Sequence, residues 1–225
     1  MMKLPDLNGI EIRTMRAETL TGDDRTRVFA LFDIAYRQAN HAYLEKSLHQ
    51  LRFLALADAG DVLAGFSLAD MRVLDLPRLP PTVVSLAGMC CIDPTFRRRH
   101  LFGALEGAAS QAAGVAPQGR YIRCGRMAHP ASFRLMTQDP SAVPKPGVPI
   151  TRWQQEVGAT IAATYGVHRF DAETFVCIGS GEPIGYPDME MRVEESEWEV
   201  FRPVNRDRGD SLLGMAWYPD APEGW

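Results

Sequence analysis

The sequence predicts an α+β fold in which helices flank a mostly antiparallel sheet, and three observations support this prediction. Short segments alternate apolar and polar residues as strands do, whereas others repeat apolar residues every three or four positions as helices do. Three strand-like segments, 52–57, 62–74 and 82–92, follow one another across turns, which favours a meander. The helical segment 99–113 then separates two strands, which is typical of a β-α-β crossover.

The first part of the chain is predicted to form a strand and two helices. Residues 9–15 alternate apolar with polar side chains, which predicts a strand with one solvated face. Apolar residues recur at helical spacing over 23–39, after a Thr-Gly-Asp-Asp helix start, and a shorter helical segment covers 42–50. His41 and His49 flank the second helix, and we expect both at the surface.

The second part alternates strands with helices. Strands are predicted at 121–127 and 174–178, with helices at about 130–137 and 151–164 between them. The segment 139–149 contains four prolines, which lack the backbone N–H that regular structure needs. This segment is therefore predicted to be an irregular insert.

The tail beyond the last predicted strand is acidic. Six acidic residues accompany a single arginine over 188–200, where Met189, Met191 and Val193 alternate with charged residues. This alternation predicts a strand with a solvated face. The alternative is that the acidic residues attract a cationic amine substrate. A last strand is predicted at 211–217.

Two regions are predicted from this organisation. Residues 1–179 form the main α+β domain, and residues 180–225 form a C-terminal extension. Trp198, Trp217 and Trp225 give the extension large apolar side chains, which need a surface to pack on. We expect that surface to belong to the chain's own domain or to a second copy in a homodimer.

Composition and charge exclude several classes of protein. The chain has 225 residues, of which 46% are hydrophobic and 23% charged, as expected for a globular protein with a sizeable core. Its formal charge of −4 argues against nucleic acid or an anionic membrane as partner. No apolar run approaches the roughly 18–20 residues of a membrane helix. The first residues show no signal-peptide pattern, and a cytoplasmic protein is expected.

The four cysteines predict buried, reduced thiols and no metal site. Cys90, Cys91, Cys124 and Cys177 lie in strand-like apolar segments, and no two form the C-x-x-C pair of zinc sites. Because Cys90 and Cys91 are adjacent, their side chains face opposite sides of the sheet. A covalent acyl-cysteine at either would need an activating base, which the sequence does not show.

The segment from Ile92 to Leu105 combines a strand end, a basic loop and the start of a helix. Arg97, Arg98 and Arg99 lie just before the helix, where cationic side chains oppose the helix dipole. The unpaired N–H groups of a helix N-terminus bind anions. We therefore predict a phosphate or pyrophosphate site here. The alternative is a solvated basic turn.

This segment resembles the signature of the GNAT superfamily of acyl-CoA-dependent acyltransferases, V-x-P-x-(Y/F)-R-G-x-G-(I/L)-(G/A/F)-x-x-L, which ends the family's fourth strand. Arg98 and His100 stand where the signature has glycine, and the order of elements over 9–179 agrees with the family. The residues that match the signature are Ile92, Pro94, Phe96, Arg97, Leu101 and Leu105.

The resemblance implies a twisted sheet, splayed between its fourth and fifth strands, and acetyl-CoA or another acyl-CoA as co-substrate. It places the pyrophosphate on the amides of 97–103 and the pantetheine arm along 90–92. Met89 or Cys90 then lies near the thioester carbonyl, where a backbone N–H stabilises an oxyanion. The implied cofactor-binding residues are Cys90, Cys91, Ile92, Arg97, Arg98, Arg99, His100, Leu101, Phe102 and Gly103.

The resemblance does not supply the acid and base that acyl transfer needs. Many members place a tyrosine four residues before a Gly-Phe pair, and the matching position here is Ala162, before Gly166. Tyr165 has a different register, and a core or capping role is expected for it. His129 follows the fifth predicted strand and is our candidate catalytic base or cofactor contact. The alternative is a helix-capping histidine.

The function implied by the resemblance is an N-acyltransferase, of N-acetyltransferase type, that moves an acyl group from acyl-CoA to a small-molecule amine. Two alternatives stay open. One is a GNAT-fold ligand-binding or interaction protein without transferase activity, which the missing tyrosine and glycines favour. The other is a transferase with a longer acyl chain or a carrier-protein donor, in which Phe96 and the three arginines meet an acidic carrier.

Overall fold

The computed structural model describes Leu7, residues 9–188 and residues 191–225, and it confirms the α+β class. The strands are β1 (Glu11–Arg16), β2 (Tyr36–Arg37), β3 (Phe53–Ala59), β4 (Val62–Leu74), β5 (Thr82–Ile92), β6 (Tyr121–Met127), β7 (Phe170–Asp171), β8 (Val176–Cys177), β9 (Tyr186–Pro187) and β10 (Ser211–Tyr218). The helices are α1 (Gly22–Ala35), α2 (His41–Gln50), α3 (Leu101–Gln111), α4 (Pro130–Thr137) and α5 (Arg152–Thr164).

The strands follow the order β1-β3-β4-β5-β6-β10-β8-β7 in one sheet, and β2 pairs with β9 in another. Antiparallel pairing joins β1 to β3, β3 to β4, β6 to β10, β10 to β8 and β8 to β7. The predicted meander is confirmed, and β5 and β6 are neighbours with α3 between them in the sequence. The predicted order of elements is therefore confirmed, while the splay between β5 and β6 stays a prediction.

The chain is divided into two compact units. The first holds the described residues within 1–71, 87–114 and 184–189, and the second holds those within 72–86, 115–183 and 190–225. Strands β4 and β5 contribute residues to both units. The predicted extension also contributes to both, since β9 belongs to the first unit and β10 to the second.

In the first unit, α3 packs on a surface of small residues. Its buried Leu101, Leu105 and Ala109 lie against buried alanines of β3 and β4. Alanine and glycine let the helix come close to the strands: a Cβ built at Gly65 would lie 2.9 Å from Leu105 Cδ1 and 3.1 Å from the carbonyl oxygen of Cys91. This packing sets the position of the α3 N-terminus next to the end of β5.

In the second unit, β6 and β10 form a long antiparallel pair. Its register runs from Leu212 opposite Met127 to Tyr218 opposite Tyr121. Both α4 and α5 lie against β10. Gly214 of β10 permits this packing, because a Cβ there would lie 2.7 Å from atoms of Phe133 and Met136 in α4. The strand predicted at 211–217 is thus confirmed as an inner strand.

Helix α1 is shorter than the spacing of its apolar residues predicts. It ends at Ala35 because the next two residues pair with β9, far along the chain. We call Ile184–Asp188 the crossing segment. The N–H of Asp188 donates to the carbonyl of Ala35 at 2.8 Å, and the N–H of Asn40 donates to the carbonyl of Ile184 at 3.1 Å. These bonds give the backbone beyond α1 an extended partner in place of a further helical turn.

The predicted strand over 188–200 is wrong for its second half, where Glu195–Phe201 forms a 3-10 helix. Glu194 and Glu197 close a capping box at its start, which supplies acceptors to backbone N–H groups that a strand would pair with a neighbour. Met189 of the predicted alternation lies outside the described residues.

Helices in the described part of the chain are all too short or too polar to span a membrane.

We expect Gly185→Ala to lower the free energy of unfolding by about 2 kcal/mol, measured by urea denaturation. Gly185 has φ +115, and an added Cβ would lie 3.0 Å from the carbonyl oxygens of Arg37 and Gln38. Gly181→Ala is the control, since Gly181 has φ +94 but open space around it. The control should lose only about 1 kcal/mol from backbone strain. Equal losses would contradict the close approach of the crossing segment.

Candidate functional site

The loop between β5 and α3 leaves backbone donors exposed at the start of a helix. Asp93 caps the short 3-10 turn Pro94–Phe96 by accepting the N–H of Thr95 at 2.8 Å. Helix α3 begins after His100 without a side-chain cap among the described residues. Its first N–H groups therefore lack an acceptor within the helix. A Cβ built at Gly103 would meet nothing within 4 Å, so this turn is open.

The three arginines lie around these donors. Arg98 and Arg99 are exposed, and the Arg99 guanidinium lies 5.2 Å from the centroid of the Phe96 ring. Arg97 Nη1 donates to the carbonyl oxygen of Asp188 at 3.2 Å. In the part of the chain that the structure describes, no carboxylate forms an ion pair with any of the three. Their positive charge is available to an anion.

The loop adopts a glycine-like backbone at two positions that are not glycine. Arg98 has φ 66 and His100 has φ 61, both in the left-handed region that costs an L-residue roughly 1–2 kcal/mol. These are the two positions where the GNAT signature has glycine. Both side chains are exposed. The loop therefore keeps the backbone conformation of a glycine loop while carrying two basic side chains.

We expect His100→Gly to raise the free energy of unfolding by about 1 kcal/mol, because glycine adopts a positive φ without steric cost. Arg99→Gly is the control, since Arg99 lies between the two strained residues and does not have a positive φ. The control should destabilise the protein. Thermal unfolding of both variants measures the difference. A loss of stability in His100→Gly would show that the loop does not hold this residue in the left-handed region.

The end of β5 contributes neutral thiols to the same unit. Cys90 and Ile92 pack against the cluster of α3 leucines and strand alanines. Burial raises the pKa of the Cys90 thiol to about 12, and the charge of Glu106 acts in the same direction. Burial raises the pKa of Cys91 well above its usual range. At neutral pH neither thiol is ionised, which disfavours the acyl-cysteine alternative.

All four cysteines are free thiols, as predicted. Cys91, Cys124 and Cys177 are buried, and Cys90 is partly buried. Burial raises the pKa of Cys124 and of Cys177 as well. No group of three or more His, Cys, Asp or Glu side chains in the described residues is arranged to hold a metal ion.

His129 lies in the second unit and caps α4. Its Nδ1 accepts the N–H of Ala131 at 3.2 Å, and its ring meets Trp198 edge to face with centroids 5.2 Å apart. Burial lowers the pKa of His129, and the positive charges of Arg206 and Arg134 lower it further. The imidazole is therefore held neutral, with its proton on Nε2. The structure thus gives His129 the capping role, and its catalytic role stays a prediction.

The acidic tail supplies an ion pair next to this cap. Glu197 accepts from Arg134 Nε at 2.5 Å and from Nη2 at 2.8 Å, and it also accepts the N–H of Glu194 at 2.8 Å. The hydrogen bond from Arg134 lowers the pKa of Glu197 to about 2. Arg134 also donates to the carbonyl of Arg192. The charge of Glu197 is thus already paired within the chain.

We expect His129→Asn to keep the stability of the wild type at pH 7.5 and His129→Ala to lose about 1 kcal/mol, because asparagine also caps a helix. The lowered pKa means that the unfolded chain binds a proton more readily than the folded chain. Wild-type stability should therefore fall as the pH drops below about 6.5, and His129→Asn should not show this loss.

Urea denaturation at several pH values between 7.5 and 5.5 measures both effects. Arg134, Arg206 and Glu197 face the same ring and remain in every variant. An asparagine variant as unstable as the alanine variant would contradict the capping role.

Other residues considered from the sequence have structural partners. Tyr165 is buried and donates its O–H to the carbonyl of Cys124 at 3.2 Å, which agrees with a core role. His41 and His49 are exposed, as predicted. His41 Nε2 lies 2.7 Å from Asp33 Oδ1.

Tyr36 is a residue that the sequence does not single out. It is the first residue of β2, and its ring packs on Phe32 with centroids 5.1 Å apart. Its phenol interacts electrostatically with the thiols of Cys91 and Cys90 and with Tyr43. Burial raises the pKa of this phenol above its usual value. No local pattern signals this placement, because it depends on the pairing of β2 with β9, far along the chain.

No family model matches the sequence, and the search of curated proteins found no match. Among solved structures, a GNAT family acetyltransferase from Elizabethkingia anophelis with acetyl-CoA bound is 11% identical, with a TM-score of 0.38 over 65% of this chain and 91% of that one. NAA60 of Arabidopsis thaliana in complex with acetyl-CoA is 15% identical, with a TM-score of 0.39 over 57% and 84%.

An aminoglycoside acetyltransferase from an uncultured soil metagenomic sample, in complex with sisomicin, is 14% identical. Its TM-score is 0.35, and the match covers 48% of this chain and 72% of that one.

Proposed function

We propose that this chain is an acyl-CoA-dependent N-acyltransferase of the GNAT type. The observation that carries the proposal is the loop between β5 and α3. It combines an uncapped helix start with arginines that have no carboxylate partner in the described residues. It also holds Arg98 and His100, at the two positions where the signature has glycine, in the left-handed backbone region that favours glycine.

The pyrophosphate of acyl-CoA is the anion proposed for this loop. The main-chain N–H groups of 97–103 are proposed to hold it, because the first N–H groups of α3 have no acceptor within the helix and the helix dipole favours negative charge there. Arg98 and Arg99 are free to add charge-assisted hydrogen bonds from solvent-exposed positions. Because the binding groups are backbone amides, side chains at the glycine positions do not remove them.

The pantetheine arm is proposed to run along the backbone of Cys90–Ile92 like an added strand. This follows the resemblance, and it agrees with the position of these residues at the end of β5, directly before the loop that leads to α3. Their side chains carry no charge, since both thiols are neutral. The thioester carbonyl then lies near Met89 or Cys90.

The acceptor proposed is a small-molecule amine. Its nitrogen attacks the thioester carbonyl as the neutral amine and loses a proton on forming the amide. His129 is the base proposed from the sequence. In the structure its Nδ1 accepts a hydrogen bond, so it takes up a proton only by releasing the N–H of Ala131. The His129→Asn variant therefore also tests this role, because it keeps a cap and removes the imidazole.

A binding protein without transferase activity is the second candidate. Ala162 stands where many GNAT enzymes have tyrosine, and the O–H of Tyr165 donates a hydrogen bond to the carbonyl of Cys124. Release of CoA thiol from acetyl-CoA with a panel of amines separates the two candidates. Turnover with any amine rejects the binding-only function, and a comparison of acyl chain lengths identifies the donor.

Charge reversal in the loop is expected to weaken acetyl-CoA binding. We expect Arg99→Glu and Arg97→Glu each to raise the dissociation constant at least about tenfold, which corresponds to about 1.4 kcal/mol. Calorimetric titration measures it. Arg16→Glu is the control, because Arg16 lies on β1 in an exposed pair with Glu18 and its reversal changes the net charge equally.

The control should bind acetyl-CoA as the wild type does. Unchanged affinity in both loop variants would show that the phosphate site lies elsewhere. No binding by the wild type at about 1 mM acetyl-CoA, which corresponds to less than about 4 kcal/mol of binding free energy, would remove the proposed function.

A further inference from the structure

We infer that the ring of Phe96 positions the guanidinium of Arg99 to bind a phosphate group of the acyl-CoA donor. This inference rests on the proposed function and assigns a positioning residue to it. The signature has an aromatic residue at the place of Phe96 but leaves the place of Arg99 open, so the pair is a property of this chain.

Phe96 is held in place by the fold of the first unit. Its N–H donates to the carbonyl of Asp93 at 2.9 Å, and the N–H of Asp93 donates to the carbonyl of Ala64 in β4 at 3.0 Å. Oδ1 of Asp93 also accepts from the N–H of Thr95 at 2.8 Å and from its hydroxyl at 2.6 Å. The partly buried ring packs against the cluster of α3 leucines and strand alanines. The ring therefore has a defined position against α3.

The Arg99 side chain lies on this ring. Its Cζ is 5.2 Å from the ring centroid, within the roughly 6 Å at which an aromatic face attracts a cation. The side chain is exposed, and its charge has no carboxylate partner among the described residues. The residues on both sides, Arg98 and His100, are in the left-handed backbone region. The ring contact thus restricts a long side chain that would otherwise sample many rotamers in solvent.

An arginine restricted in this way binds a phosphate more tightly than a freely moving one. Ordering a flexible side chain opposes binding, and here part of that ordering is present before the ligand arrives. The Phe96 ring attracts the charge without using the guanidinium N–H groups in conventional hydrogen bonds. These N–H groups stay available for charge-assisted hydrogen bonds to phosphate oxygens.

The three loop arginines are held differently, which allows their roles to be separated. Arg97 donates to the backbone carbonyl of Asp188 at 3.2 Å. Within the described part of the chain, Arg98 makes no hydrogen bond, ion pair or ring contact. Arg99 is the one of the three that lies on an aromatic ring. A change at Phe96 should therefore act on phosphate binding through Arg99 and not through the other two.

A double-mutant cycle tests this coupling. Calorimetric titration with CoA measures the dissociation constant for the wild type, Phe96→Leu, Arg99→Gln and the double variant. We expect Phe96→Leu to raise the dissociation constant about 3- to 10-fold and Arg99→Gln to raise it about tenfold. In the Arg99→Gln background, Phe96→Leu should change it by less than about twofold.

Three control variants separate positioning from an effect on the fold. Phe96→Tyr keeps the aromatic face and should bind CoA within about twofold of the wild type. Phe29→Leu removes another ring under an arginine, since Arg25 Cζ lies 4.7 Å from the Phe29 centroid in α1, and it should leave the affinity unchanged. In an Arg98→Gln background, Phe96→Leu should keep its full effect. Thermal unfolding confirms that each variant is folded at the temperature of the titration.

Two further readouts identify the phosphate and the step that is affected. If Arg99 binds the 3′-phosphate, the wild type and Arg99→Gln should bind 3′-dephospho-CoA equally; if it binds the pyrophosphate, their difference persists. Either result supports a phosphate contact. With an amine that is turned over, Phe96→Leu should raise the KM for acetyl-CoA and leave kcat within about twofold of the wild type.

An unchanged affinity for CoA in Phe96→Leu or in Arg99→Gln overturns the inference. An equal loss from Phe96→Leu in the wild-type and Arg99→Gln backgrounds also overturns it, because the ring then acts independently of Arg99. If the wild type does not bind CoA, the proposed function fails and the inference fails with it. If the wild type binds CoA and only the cycle is negative, the proposed function stands without this pair.

Discussion

The close packing of α3 on the alanines of β3 and β4 is the constraint on which the candidate site depends. Leu101 and Leu105 are buried at this contact, and Gly65 leaves no room for a larger side chain. A helix held this tightly presents its N-terminus at one position beside the end of β5. The loop from Asp93 to His100 must then join two anchored elements in a few residues. Within this short connection, Arg98 and His100 adopt the left-handed backbone conformation.

The charge distribution of the site follows from the same geometry. Arginines at a helix N-terminus oppose its dipole, and those in the loop have no carboxylate partner among the described residues. Elsewhere in the chain the arginines are used differently. Arg52 pairs with the buried Asp70, and Arg134 pairs with Glu197. The loop arginines thus differ from Arg52 and Arg134, whose charges are paired with carboxylates of the chain.

Local patterns in the sequence predict some elements of this fold and miss others, and the crossing segment is involved in two that they miss. The meander, the crossover and helix α3 were predictable, because each depends on local periodicity or on the order of the elements. The anion-binding role of the loop before α3 stays a prediction. The end of α1 at Ala35 and the position of Tyr36 were not, because both depend on pairing with residues about 150 positions later in the chain. The 3-10 helix at Glu195–Phe201 was missed for a different reason, since a capping box outweighed an alternating pattern.

The state of the cysteines has a consequence for how the molecule reacts with its surroundings. Burial raises the pKa of all four thiols, so none offers an electrophile a reactive thiolate while the fold is intact. Alkylation or oxidation of Cys91, Cys124 or Cys177 requires the core around it to open first. The rate at which each is labelled is therefore a measure of local unfolding in the unit that contains it.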